Sequence, residues 1–149
     1  MSNSIKIFSE TEATAIRKKW MEAFCKNKQG ANTKQFLWHI FSGGRYPSDS
    51  GDLAKLKYEQ HIAPEYVVMP NEQTPTILTS EKPSKGTSPD CYIFPTNMAW
   101  TMAFTHEEGW LGPYFALHPN YEALNRANEE YRKKLHQMTI AKQKGWYKE

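Results

Sequence analysis

Apolar residues recur at helical spacing near the start of the chain. Ile16, Trp20 and Phe24, with Ala13 and Ala23, share one face, and Arg17, Lys18 and Lys19 lie away from it. Ser9-Glu10-Thr11-Glu12 reads as a capping box, so a helix is predicted from there to about Lys26, ending before Gly30. Residues 36–41 are apolar on both alternating faces and suit a central strand covered on two sides, with a short buried helix as the alternative. Gly43-Gly44 stops that run. A short helix is predicted over 52–60, anchored by Leu53 and Leu56, and strand composition returns at 65–69 and 76–79. Residues 81–90 are rich in turn formers without an apolar anchor and are expected to form the most mobile loop.

Residues 91–94 resume the sheet, Pro95 interrupts it, and 98–105 is the most strand-like segment. With 106–112 as a turn and 113–117 as the return, a hairpin is predicted. Setting Thr105 opposite Pro113 places Trp100 opposite His118. Trp100, Met102, Phe104, Tyr114 and Ala116 then share one face, and Thr101, Ala103, Thr105, Phe115 and Leu117 the other. Tyr121, Leu124, Ala127, Tyr131, Leu135 and Met138 form the stripe of a long helix, supported by three acid-to-base pairs four residues apart, Glu122 with Arg126, Glu129 with Lys133 and Glu130 with Lys134. The pattern as a whole predicts one α+β domain over residues 1–149, a mainly antiparallel sheet covered by an N-terminal and a long C-terminal amphipathic helix.

Composition narrows the classes. The 149 residues suit one core, and 20 aromatic side chains bring large buried areas although apolar residues are only 39%. No run approaches the roughly 18 apolar residues of a membrane span, and the first residues lack a secretory signal, so a cytoplasmic protein without a membrane partner is expected. Cys25 and Cys91 are too few for a disulfide framework or a four-thiolate zinc site and are read as buried thiols. Net charge is only +3, but residues 1–30 carry six basic and three acidic groups, and residues 119–149 carry seven and four. Basic ends around an acidic middle allow two faces of opposite potential, which assist steering toward a macromolecule; the plainer reading is solvated helix surface.

No catalytic signature stands out. His106 and His118 fall at opposite ends of the hairpin, about 20 Å apart, too far to share an ion. No metal or cofactor motif is present, neither a phosphate loop nor a dinucleotide fingerprint. A Cys25 or Cys91 nucleophile with His39 or His106 as base has no local motif behind it. His39 and His106 read structurally as core or rim histidines, the latter bonded by Thr101, Thr105 or Glu107. Functionally, Trp38, His39, Ser42, Trp100, Thr105, His106, Glu107, Trp110 and Tyr114 read as a polar patch ringed by aromatics, the composition of a binding hot spot. Trp110, at the turn tip, is the residue most expected at an interface.

Phe36-Leu37-Trp38-His39-Ile40-Phe41-Ser42, Trp100-Thr101-Met102-Ala103-Phe104-Thr105-His106-Glu107 and Gly112-Pro113-Tyr114-Phe115-Ala116 together resemble a family of small bacterial proteins of about 140 residues whose function is uncharacterised. The likeness spans residues 34–117 and implies no catalytic residue. The architecture is also similar to that of immunity proteins of bacterial toxin systems. The expected function is therefore a bacterial cytoplasmic protein-binding protein, an immunity protein that neutralises a cognate toxin by occluding its active site. The alternatives are a small hydrolase or transferase using His106 and Glu107, with His39, or a nucleic-acid-binding protein using Arg17, Lys18, Lys19, Arg132, Lys133 and Lys134.

Overall fold

The computed structural model describes residues 5–26, 36–72, 75–107 and 110–143. Gly30, Glu108 and Gly109, which the sequence places at the end of the first helix and in the hairpin turn, lie outside them. Seven strands form one antiparallel sheet: β1 (Ile5–Ile7), β2 (Asp49–Ser50), β3 (Tyr66–Pro70), β4 (Ile77–Thr79), β5 (Cys91–Pro95), β6 (Trp100–Phe104) and β7 (Tyr114–Leu117), in the order β1-β4-β3-β5-β6-β7-β2. Four helices accompany them, α1 (Glu10–Phe24), α2 (His39–Ser42), α3 (Gly51–Gln60) and α4 (Tyr121–Gln143), giving the α+β class. Among the described residues no helix is long and apolar enough to cross a membrane.

Helices cover both faces of the sheet. On one, Trp20 and Phe24 of α1 and Ile40 and Phe41 of α2 pack with Val67, Met69, Tyr92, Phe94, Ala103, Tyr114 and Ala116. On the other, Ala54 and Tyr58 of α3 and Tyr121 and Leu124 of α4 pack with Tyr66, Val68, Ile93, Trp100, Met102 and Phe115. Two-sided coverage explains why the central strands read as continuous apolar runs, with β3 and β5 buried along their whole lengths. The α1 capping box forms as its spacing requires: the Ser9 hydroxyl accepts from the Glu12 amide at 3.1 Å and the Glu12 carboxylate from the Ser9 amide at 3.0 Å.

Three expectations change. Residues 36–41 are no strand: the chain turns at Leu37 and enters α2, the short-helix alternative, and their apolar side chains lie over the first face of the sheet. In α3 the anchors are Ala54 and Tyr58, while Leu53 and Leu56 are 49% and 50% exposed, because Ala54 and Tyr58 sit on the helix face turned to the sheet. The β6–β7 register is shifted by one residue, pairing Trp100 with Leu117, Thr101 with Ala116, Met102 with Phe115 and Ala103 with Tyr114. A slip of one position exchanges faces, so Tyr114 and Ala116 join Thr101 and Ala103, and Phe115 joins Trp100 and Met102.

The α4 stripe is only partly used. Leu124 and Tyr121 pack on the sheet, but the buried positions are Asn125 and Asn128, with Asn128 beside Asn97, whose amide donates to the Leu124 carbonyl at 3.0 Å. Leu135 and Met138 are 45% and 43% exposed. The 23-residue helix runs about 34 Å, and its buried positions, Asn125 and Asn128, both lie in its N-terminal half.

Candidate functional site

At one end of the sheet the last residue before β5, Asp90, lies beside the residues that leave β6, because Cys91 pairs with Phe104. Asp90 is the hub of a polar cluster. Its Oδ1 accepts from Trp38 Nε1 at 2.9 Å and from the His106 amide at 3.1 Å, and both carboxylate oxygens lie 2.9 Å from His106 Nδ1. A hydrogen-bonded carboxylate at Nδ1 fixes the ring so that Nε2 is the outward nitrogen, an acceptor when the imidazole is neutral. Nε2 lies 3.8 Å from Glu107 Oε1, and the His106 side chain is 42% exposed. The Asp90 hydrogen bond raises the His106 pKa above the ordinary imidazole value; desolvation opposes it, and the Asp90 and Glu107 charges add smaller upward contributions.

A second chain of hydrogen bonds anchors this end from inside. The Asn71 amide donates to the Asp90 carbonyl, its side-chain oxygen accepts from the Leu37 amide at 2.9 Å and the Tyr92 hydroxyl at 2.7 Å, and that hydroxyl accepts from the Trp38 amide at 2.8 Å. Arg17 reaches across from α1 to the Pro70 carbonyl at 2.6 Å. The segment entering α2 is thereby fixed over the sheet end. Phe36 stacks on Trp38 with centroids 5.3 Å apart and lies 5.0 Å from the His106 ring, and His39 meets Trp38 edge-on at 4.5 Å.

The described residues of the β6–β7 connection border the site. The amides of Trp110 and Leu111 both donate to the Glu107 carbonyl, at 2.9 and 2.8 Å, and the Thr105 hydroxyl donates to the Leu111 carbonyl. Gly112 has φ +97°, and a Cβ there would lie 2.9 Å from Thr105 Cγ2, so this position requires glycine. The Gly112–Pro113 bond is cis. Trp110 projects from this fastened turn at 86% exposure. Beside it an open cleft of about 770 Å³ runs between Trp110, Leu111, Pro113 and Tyr114 on one wall and Ser50, Asp52 and Lys55 at the start of α3 on the other.

The structure therefore brings together Trp38, His39, Thr105, His106, Glu107 and Tyr114 around one end of the sheet, with Ser42 near the Tyr114 hydroxyl. Trp38, Thr105 and Tyr114 are buried and support the surface, which consists of His106, Glu107, Trp110 and Ser42 with the half-buried Phe36 and His39. Trp100 is not part of it: the register shift turns it to the opposite face, buried under α3. Thr101 likewise serves the core, accepting from Trp20 Nε1 at 3.0 Å. Asp90, Asn71 and Phe36 belong to the site and were missing from the residues singled out in the sequence. Asp90 stands in a run of turn formers 16 residues from His106, and only the β5–β6 pairing joins them. Among the described residues no group of three His, Cys, Asp or Glu side chains is placed to hold a metal.

No curated protein and no solved structure matches the chain. A family model does, over residues 3–115, a stretch that holds α1, the Asp90–His106 pair and the Trp110 turn and stops before α4. On that match the chain belongs to the family described as a domain of unknown function, DUF4275.

Proposed function

We propose that this chain is a protein-binding protein whose contact surface is the end of the sheet formed by His106, Glu107, Trp110, Ser42, Phe36 and His39. The observation that carries the reading is Trp110, an indole left 86% exposed on a turn held by backbone hydrogen bonds. An aromatic side chain has only two torsions to fix on association and removes a large area from solvent when covered. The neighbouring cleft offers room for a partner side chain, with Asp52 and Lys55 as polar groups on its far wall, and the exposed His106 and Glu107 add polar contacts outside it. The specific form proposed is a bacterial cytoplasmic immunity protein that occludes the active site of a cognate toxin.

The test looks for a toxin gene beside the one encoding this chain, and pairs wild type with Trp110→Ala in binding measurements against its product and in rescue of cells expressing it; a neighbourhood without a toxin gene counts against the immunity reading. The expected result is a loss of about 2 kcal/mol or more in binding, with rescue abolished and the melting temperature unchanged. Undiminished binding, or a variant that no longer folds, overturns the assignment of Trp110.

A second reading rests on His106. With Nδ1 held by Asp90, Nε2 is poised as a general base, and Asp90, not Glu107, is the carboxylate that orients the ring. The cleft beside Trp110 does not include His106 among its walls, which favours the binding reading. Turnover of any substrate that disappears in folded His106→Ala would reverse the preference.

A further inference from the structure

We propose that the cavity between α3, the 82–85 segment and β6 binds a small planar organic anion, a flat apolar body carrying a carboxylate, sulfonate or phosphate group. The cavity has a volume of about 520 Å³, within the roughly 300–1,000 Å³ of small-molecule sites. Tyr58, Met102 and Phe104 line its apolar part, and the rings of Tyr58 and Phe104 meet edge-on with centroids 6.0 Å apart. Tyr58 and Met102 are buried, so this surface is fixed by the core beneath it. Flat apolar groups fit such a floor.

The polar part is cationic. Among the described residues Lys82 and Lys85, with Lys55 beside them, line the cavity together with one carboxylate, Glu59, and Arg132 of α4 acts on Lys82 from outside the lining. Lys82 Nζ donates to the His61 carbonyl at 2.6 Å and to the Tyr58 carbonyl, and lies 4.5 Å from the centre of the Tyr58 ring. The Tyr58 hydroxyl in turn donates to the Pro83 carbonyl. Two fastenings thus hold the 82–85 wall against the end of α3, so the cavity exists before anything enters it. Burial pulls the Lys82 amine down to about 8; Glu59 opposes this shift and Arg132 of α4 adds to it. A local excess of positive charge over an apolar floor is the environment in which an incoming anion relieves repulsion while its body removes aromatic surface from water. Lys55 also borders the cleft beside Trp110, yet the floor residues of the two cavities are different.

The experiment titrates the full chain with naphthalene-1-sulfonate, the neutral naphthalene-1-sulfonamide and inorganic sulfate, following backbone amide shifts by NMR. Expected is saturable binding of the sulfonate at least about tenfold tighter than of the sulfonamide or sulfate, with the largest shifts in 55–59, 82–85 and 102–104. The folded double variant Lys55→Glu/Lys85→Glu should lose that preference. Equal affinity for the sulfonamide, largest shifts elsewhere, absence of saturation, or a folded double variant that keeps the preference would each overturn the proposal. The three-ligand comparison on wild type decides the matter if the double variant does not fold.

Discussion

Asp90 serves three donors at once, and substitutions separate their contributions. Asp90→Ala leaves Trp38 Nε1 buried without its acceptor and removes both contacts to His106. Losing an acceptor from a buried donor together with charge-assisted bonds should cost about 2–3 kcal/mol in denaturant unfolding. Asp90→Asn keeps one carbonyl oxygen and should cost less. His106 gives a pH signature of known sign. Its folded pKa lies above the unfolded value near 6.5, so its stabilising contribution is fully present below about pH 6.5 and is lost as pH rises through the raised pKa. The penalty of His106→Gln, read from melting temperatures, should therefore be larger at acid pH than in alkaline solution; the opposite order would mean that Asp90 does not stabilise the charged ring. At Gly112, alanine meets both a positive φ and Thr105, and a loss of about 1–3 kcal/mol is expected.

Elements were legible where one face alone is apolar. The capping box and the spacing of Trp20 and Phe24 specify α1 without reference to the rest of the chain. Where both faces are covered, the same pattern loses its power to fix register: Tyr114, Phe115 and Ala116 are all buried, on alternating faces, so no polar position in their order penalises the one-residue slip. The assembled site inherits this blindness. The histidine, the threonines and Trp110 are visible as residue types, but the face of Trp100 and the partnership of Asp90 with His106 depend on strand pairing. Residues 36–41 fail for a related reason, since six apolar residues fill a covered strand or a buried turn and short helix equally well. In α4 the stripe is correct as a period, yet its distal members Leu135 and Met138 stay exposed. Leu135→Glu with Met138→Glu should leave stability within about 0.5 kcal/mol of wild type, whereas Leu124→Ala, at the packed end, should cost at least about 1 kcal/mol. Thermal denaturation of the two variants checks this; a large loss from the first would place the distal half of α4 against a neighbour.

At the scale of the molecule, the two terminal helices lie on opposite faces of the sheet, which bears on the nucleic-acid reading. Arg17, Lys18 and Lys19 belong to α1 and Arg132, Lys133 and Lys134 to α4. Helix axes on either side of a sheet are about 20 Å apart, twice the roughly 10 Å spacing of packed layers, with the sheet between them. The positive charge of the chain ends is thus divided between two faces instead of concentrated on one, and Arg17 is turned inward to the Pro70 carbonyl. A duplex lying along one helix meets at most about three of these cations, and neutralising three phosphates gives a slope near −2.7 in log affinity against log salt, where six would give about −5.4. Anisotropy with a fluorescent duplex over a salt series should therefore show weak binding and a shallow slope. Reversing the charges of Lys18 and Lys19 or of Arg132, Lys133 and Lys134 should act independently. A steep slope abolished by either set alone would require both helices to grip one duplex around the sheet edge, and would put nucleic acid ahead of protein as the partner.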